Sequence, residues 1–313
     1  MAAASASGGA GGGKAGTFRL GLCQTLVGTD KAVNLATARA AVAEAVGAGA
    51  QVVVLPECFN SPYATDQFPV YAEPVNDPAS DGASVIDEEK QPSTAMLRDA
   101  AKEHGVYLVG GSIPERDGDR VFNTCTVWGP DGGMLARHRK MHLFDISVPG
   151  GITFRESDTL SAGAALTTFD TPYCRFGVGI CYDIRFPLLA ALMRKAGCKV
   201  LLYPGAFNTT TGPAHWELLQ RGRAVDNQVY VATASPARNP ESAYQAWGHS
   251  SLVNPWGEVV ATTEHGPAVV VADVDVARAD AIRGQIPVGV QARSDLYELS
   301  WVGEAPAPKD PET

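Results

Sequence analysis

No stretch of about 18 apolar residues occurs in this 313-residue chain, which excludes a membrane-spanning helix. Cysteine is sparse, six residues at positions 23, 58, 125, 174, 181 and 198. There is no C-x-x-C pair, and no histidines stand at zinc-finger or H-E-x-x-H spacing. A disulfide scaffold and structural zinc are excluded on that basis, and reduced thiols in a cytoplasmic compartment fit. Basic residues are in deficit, 25 Lys and Arg against 34 Asp and Glu, for a net charge of −9. That balance opposes nonspecific binding to nucleic acid or to an anionic membrane. The nucleophile elbow G-x-S-x-G and the phosphate loop G-x-x-x-x-G-K-[ST] are both absent. Gly177-Val178-Gly179 runs into Ile180-Cys181, not into the third glycine of a dinucleotide loop.

What is present is a globular composition, 45% hydrophobic and 19% charged. Residues 1–16 are mostly Ala and Gly and cannot bury enough surface to order themselves, so a disordered tail is expected there. That tail lacks the apolar core of a signal peptide and the arginines of a good transit peptide. A loose, Pro-rich end is expected over 303–313. Between the tails, strand and helix signals alternate with no linker, which predicts one α/β domain over 17–302.

Strands are expected at 17–23, 51–55, 106–111, 121–128, 134–138, 175–180, 199–203, 229–234, 250–254, 258–261 and 268–274. Helices are expected after Asp30 as cap, from Ser93 as cap to His104, over 186–196 and over 215–226. A long polar insert spans roughly 58–92, of a kind that often forms substrate loops. The strand–helix–strand rhythm recurs in both halves and allows two sheets packed face to face with helices outside.

Three segments hold residue types with chemistry at the ends of predicted strands, where α/β folds gather reactive groups. They are Leu55-Pro56-Glu57, the cationic stretch Arg137–Leu143, and Gly177–Arg185 with Cys181 at its centre. Spacing alone does not join Glu57, Lys140 and Cys181.

Taken together, P-E at 56–57, R-K-x-H-L-F at 139–144 and G-x-G-I-C-Y-D-I-R-F at 177–186 resemble the nitrilase superfamily, the carbon–nitrogen hydrolases with a Glu–Lys–Cys triad. The resemblance covers residues 17–300 and implies an α-β-β-α sandwich that associates as a homodimer or larger homo-oligomer. Cys-Tyr-Asp at 181–183 resembles the amidase side of the superfamily. Phe144-Asp145-Ile146, Tyr203–Asn208, Thr211–Gln220 and Trp247–Ser250 are similar to its omega-amidase branch, which acts on the small-molecule ω-amides 2-oxoglutaramate and 2-oxosuccinamate.

The resemblance assigns Glu57 as base, Lys140 as cation, Cys181 as nucleophile and Glu156 as a second glutamate, with no metal or organic cofactor. The backbone N–H of Tyr182, at a turn into a helix, is expected to donate to the oxyanion. Arg185, four residues beyond the nucleophile, offers a planar guanidinium for a substrate carboxylate. Tyr63, Phe207 and Thr210 lie in segments similar to the family's substrate-pocket loops. The competing expectations are a related amidase for deaminated glutathione or N-carbamoyl compounds, and a catalytically silent scaffold.

Overall fold

Strand alternation sorts the side chains of this chain into layers. The computed structural model describes residues 16–79, 85–150 and 153–303. Of the tails expected over 1–16 and 303–313, residues 1–15 and 304–313 therefore lie outside the described residues, as does part of the insert, 80–84.

The first half runs β1 (Thr17–Gln24), α1 (Lys31–Gly47), β2 (Val52–Val54), α2 (Phe68–Tyr71), α3 (Pro92–His104), β3 (Tyr107–Val109), β4 (Ile113–Asp117), β5 (Arg120–Trp128) and β6 (Met134–Arg139). A small hairpin follows, β7 (Asp145–Ser147) with β8 (Thr153–Arg155). The second half runs β9 (Thr167–Asp170), β10 (Arg175–Val178), α4 (Pro187–Lys195), β11 (Val200–Pro204), α5 (Gly212–Asn227), β12 (Tyr230–Ala234), β13 (Ser251–Val253), β14 (Val259–Thr262), β15 (Ala268–Asp275), α6 (Val276–Gln285) and α7 (Val288–Gln291).

One sheet has the order β15-β1-β2-β3-β5-β4, with β6 also on β5; the other has the order β14-β13-β12-β11-β10-β9. In the first sheet Phe18, Leu20, Leu22, Val52 and Val54 pack in one core with Phe176, Val178, Val200 and Leu202 of the second. The intervening Cys23 and Val53 turn the other way, onto Ala38, Val42 and Ala45 of α1 and Leu97 and Ala101 of α3. Helices α4 and α5 cover the far side of the second sheet through Leu189, Met193 and Trp216. The result is the α-β-β-α sandwich. Residue 21 has to be glycine, because a Cβ there would stand 2.9 Å from the Cβ of Ala45 and push α1 off the sheet.

Asp30 caps α1 as expected, its Oδ1 accepting from the N–H groups of Ala32 and Val33. Ser93 is not a cap. Helix α3 begins at Pro92, and the Ser93 side chain and N–H both turn to Glu73, at 2.6 and 2.9 Å. Proline at the first helical position starts the helix without a side-chain cap.

The polar insert is not solvated throughout. Cys58, Tyr63 and Phe68 are buried with Val121, Leu160 and Ala206. Strands β4, β7, β8 and β9 are additions to the expected set. The strand expected over 175–180 ends at Val178, and Cys181–Arg185 is a 3-10 turn leading to α4.

Candidate active site

Four loops at strand ends converge on one buried cluster. Glu57 lies just past β2, where the Leu55 N–H continues the ladder onto the Val109 carbonyl at 3.0 Å. The chain then turns at Cys58, whose φ is +50° and whose N–H donates to Ser112 Oγ at 3.0 Å. Beneath this turn sits Gly111, with φ +58°; a Cβ there would lie 2.1 Å from the Pro56 carbonyl oxygen. Only glycine allows that approach, so residue 111 shapes the seat of Glu57.

Lys140 directly follows β6 and is tied by its N–H to the Asn123 carbonyl of β5 at 2.8 Å. Glu156 follows the β7–β8 hairpin, its N–H donating to the Phe144 carbonyl at 3.2 Å. Cys181 opens the 3-10 turn after β10 with φ +47°, a left-handed conformation costly for a residue with a side chain.

Glu57, Lys140 and Glu156 are fully buried, and Cys181 is 3% exposed. The Lys140 ammonium donates to Glu57 Oε1 at 3.0 Å, to Glu156 Oε1 at 2.9 Å and to the Tyr63 hydroxyl at 3.5 Å. Glu57 Oε1 also accepts from Asn123 Nδ2 at 2.8 Å, and Oε2 accepts from the Ala206 N–H at 2.8 Å. The Cys181 thiol faces the Glu57 carboxylate and the Ala206 N–H. Glu156 Oε1 accepts from the Tyr63 hydroxyl at 2.6 Å, and Oε2 from the Phe144 N–H at 2.7 Å.

The electrostatics follow from burial and charge. Burial pushes the Glu57 carboxyl up; Lys140 opposes this, Glu156 adds to it, and the net direction is upward. Burial and the charge of Glu57 push the Cys181 thiol well above its ordinary value, against the pull of Lys140. For Lys140, burial acts downward, but Glu156 and Glu57 together hold the ammonium charged well above the ordinary lysine range. The resting thiol is therefore protonated. It holds its proton against a carboxylate that can take it, beside an ammonium that can stabilise negative charge.

The structure brings Glu57, Lys140, Glu156, Cys181 and Tyr63 together, and Tyr182 follows the sulfur-bearing residue in the same turn. Glu57, Cys58, Ser61, Tyr63, Ala206 and Tyr244 border a cavity of ≈ 30 Å³.

Arg185 is half-buried, its guanidinium over the Phe207 ring at 4.8 Å and 3.3 Å from His215 Nδ1, and it has no carboxylate partner among the described residues. Phe207 is buried against Trp216, ring centroids 4.8 Å apart. Thr210 is exposed, with its N–H on Asn208 Oδ1 at 3.0 Å and no hydrogen bond to the cluster among the described residues.

Sequence reasoning passed over Asn123 and the Ala206 N–H. Asn123 left a trace, as an amide within the strand β5, among Val121, Phe122 and Cys125. A backbone donor leaves none. Tyr244, whose hydroxyl donates to the Ala206 carbonyl, lies in a loop with no pattern to single it out.

The Carbon-nitrogen hydrolase family model matches residues 19–284. "Omega-amidase NIT2" of Danio rerio is 58% identical over 287 residues, covering 92% of this chain and 99% of that protein. The Homo sapiens protein of the same name is 56% identical over 283 residues, covering 90% and 98%. The solved structure of Saccharomyces cerevisiae Nit3, described as a member of branch 10 of the nitrilase superfamily, superposes with a TM-score of 0.79 at 43% identity, covering 88% of this chain and 97% of that one. A family match over most of the chain, relatives of this identity and a superposable fold agree with the buried Glu–Lys–Cys cluster, and the chain belongs to the carbon–nitrogen hydrolases of the nitrilase superfamily.

Proposed function

We propose that this amidase is an omega-amidase, releasing ammonia from the terminal amide of 2-oxoglutaramate or 2-oxosuccinamate and leaving the 2-oxo-dicarboxylate. The observation that carries the chemistry is a single buried carboxylate, Glu57, that faces the Cys181 thiol and accepts a hydrogen bond from the Lys140 ammonium. The identity to proteins named omega-amidase supports the choice of substrate.

In this reading Glu57 accepts the Cys181 proton as the sulfur attacks the amide carbon. The oxyanion forms against the Lys140 ammonium and the Tyr182 N–H, and one such donor is worth about 3–4 kcal/mol. Collapse of the oxyanion breaks the C–N bond, and Glu57 returns the proton to the departing nitrogen, so that ammonia leaves and a thioester remains. Water, deprotonated by Glu57, then attacks the thioester through a second oxyanion, and the thiol recovers its proton from Glu57 as the acid is released. Glu156 holds the other side of the Lys140 ammonium through the whole cycle, with Tyr63 closing the pair.

Arg185 reads the substrate's distal carboxylate; the support is a guanidinium seated on aromatic rings with no acidic partner among the described residues. Phe207 forms the apolar wall beside it, and Thr210 lies three residues on in the same loop, its N–H on Asn208.

The chain works as a dimer of sandwiches, joined through α4 and α5, where Leu188, Leu218 and Val225 stand exposed. Its compartment is the cytoplasm, in keeping with six free cysteines. No helix among the described residues is long and apolar enough to cross a membrane.

The test is ammonia release from 2-oxoglutaramate, glutamine and N-carbamoyl-β-alanine in parallel. The highest kcat/KM is expected for 2-oxoglutaramate, and preference for the N-carbamoyl compound overturns the assignment.

A further inference from the structure

Asp183 is absorbed by none of the roles above, yet it is fully buried and its carboxylate is saturated. Oδ2 accepts from the Ile180 N–H at 2.9 Å and from His138 Nε2 at 3.1 Å. Oδ1 accepts from the His142 N–H at 3.0 Å and from His142 Nδ1 at 2.7 Å. A carboxylate offers about four acceptor positions, and four donors fill them. Burial alone would raise the pKa of this group, but the bonds from His138 and His142 carry it well below the usual carboxylate range. An ionised carboxylate only accepts, so Nε2 of His138 and Nδ1 of His142 carry the protons. Nδ1 of His138 lies 2.9 Å from the Thr167 hydroxyl.

The placement of these donors matters more than their number. His138 and His142 stand two residues before and two residues after Lys140. Ile180 and Asp183 stand one residue before and two residues after Cys181. One carboxylate thus straps the Lys140 segment to the Cys181 turn. The strap acts where the backbone is least comfortable, since Cys181 has φ +47° and the Ile180 N–H is fixed immediately before it. On the far side His142 is stacked on Phe186, ring centroids 3.5 Å apart at 10°, which holds the imidazole against rotation.

We propose that Asp183 is a positioning residue for the reaction, setting the distance and angle between the Cys181 sulfur and the Lys140 ammonium without touching substrate. This inference rests on the Glu57–Lys140–Cys181 reading given above. In Asp183→Asn one oxygen becomes an NH₂ facing N–H donors, so about half the strap is lost while the side-chain shape is kept.

The experiment compares wild type, Cys181→Ala, Asp183→Asn, His138→Gln and His138→Leu on 2-oxoglutaramate. It reads kcat per folded site, KM, and the rate of iodoacetamide alkylation of Cys181. A misplacement on the order of 1 Å costs about 10²-fold, so Asp183→Asn is expected to lose that factor in kcat with KM within about threefold. Alkylation of Cys181 should slow in parallel. His138→Gln keeps an N–H near the position of Nε2 and should retain most turnover, whereas His138→Leu should fall with Asp183→Asn.

A purely structural Asp183 would lower the folded fraction and leave kcat per folded site unchanged, and that result overturns the proposal. Should Asp183→Asn fail to fold, the His138 pair decides: equal turnover in His138→Gln and His138→Leu overturns it. A wild-type protein that releases no ammonia, or a Cys181→Ala variant that still does, refutes the triad reading and this inference with it. An active wild type with an inert Cys181→Ala and an unimpaired Asp183→Asn refutes the positioning role alone.

Discussion

In the proposed cycle Glu57 has to be ionised to accept a proton and protonated to return one, and its surroundings suit both tasks. Burial and Glu156 raise its pKa above the ordinary 4.5, so the fraction able to act as base grows with pH through that raised value. The acid limb of kcat/KM is therefore expected above pH 4.5, measured on 2-oxoglutaramate across the acidic range. No loss is expected near neutrality on the alkaline side, since both Lys140 and Cys181 are held above their ordinary values. Glu57→Gln keeps the side-chain shape and one acceptor oxygen, turns an NH₂ toward a donor on the other side, and removes the base. Turnover should fall by about 10²-fold or more, and near-wild-type turnover would contradict its role. Arg185→Ala should cost more than tenfold in kcat/KM for the 2-oxo acid amide, because removing one partner of a charge-assisted pair typically costs ~2–5 kcal/mol. Half-exposure of the guanidinium puts the effect at the lower end of that range. The ratio of this loss to that for a simple aliphatic amide is the informative quantity, and equal losses would make Arg185 structural. At this scale the sequence carried the residues through three motifs. It did not carry what seats them, because the Ala206 N–H is backbone and the Asn123 amide comes from a strand far away in the chain.

At the scale of elements, the site depends on where strands stop. Gly111 lets the turn after β3 pass under Pro56, so Gly111→Ala adds a methyl at 2.1 Å from a carbonyl oxygen and a side chain at φ +58°. We expect a loss of roughly 2–4 kcal/mol in unfolding free energy from overpacking and left-handed strain together. Denaturant melts with kcat measured on the folded fraction should show both stability and turnover falling. A stable variant that has lost only activity would also be informative, placing the strain in the Glu57 turn alone. Long, periodic elements such as α1, β5 and α5 were legible from their apolar spacing. Short ones were not: β7 and β8 have three residues each and carry no readable alternation. Ser93 read as a cap because serine before a helical run has that meaning locally. The structure gives its hydroxyl to Glu73, a partner 20 residues back that no local pattern reveals.

At the scale of the whole molecule, two sheets face each other over a core built from alternate residues, and the catalytic loops all leave the sandwich at strand ends. The continuous apolar run Gln51–Leu55 and the strand–helix–strand rhythm of both halves were readable, which is why the layered architecture was legible in the sequence. Which loop meets which was not, since Glu57, Lys140, Glu156 and Cys181 converge only through sheet order. Exposed Leu218 and Val225 lie seven residues apart on one face of α5, and Leu188 begins α4. Leu218→Asp is expected to convert a dimer to a monomer in sedimentation velocity, and an unchanged mass would move the interface elsewhere. The central claim is that an amide becomes a thioester on Cys181 under the control of Glu57. It is tested most directly by mixing the wild-type enzyme with excess 2-oxoglutaramate, quenching in acid within the first turnovers and mapping the adduct by peptide mass spectrometry, with Glu57→Gln run in parallel. The account predicts an added mass equal to substrate less ammonia, on Cys181 alone, in the wild type, and far slower formation of that adduct in Glu57→Gln, which lacks the base for the sulfur's attack. An adduct on Cys58 or Cys174, or wild-type turnover with no covalent species at any quench time, would contradict it.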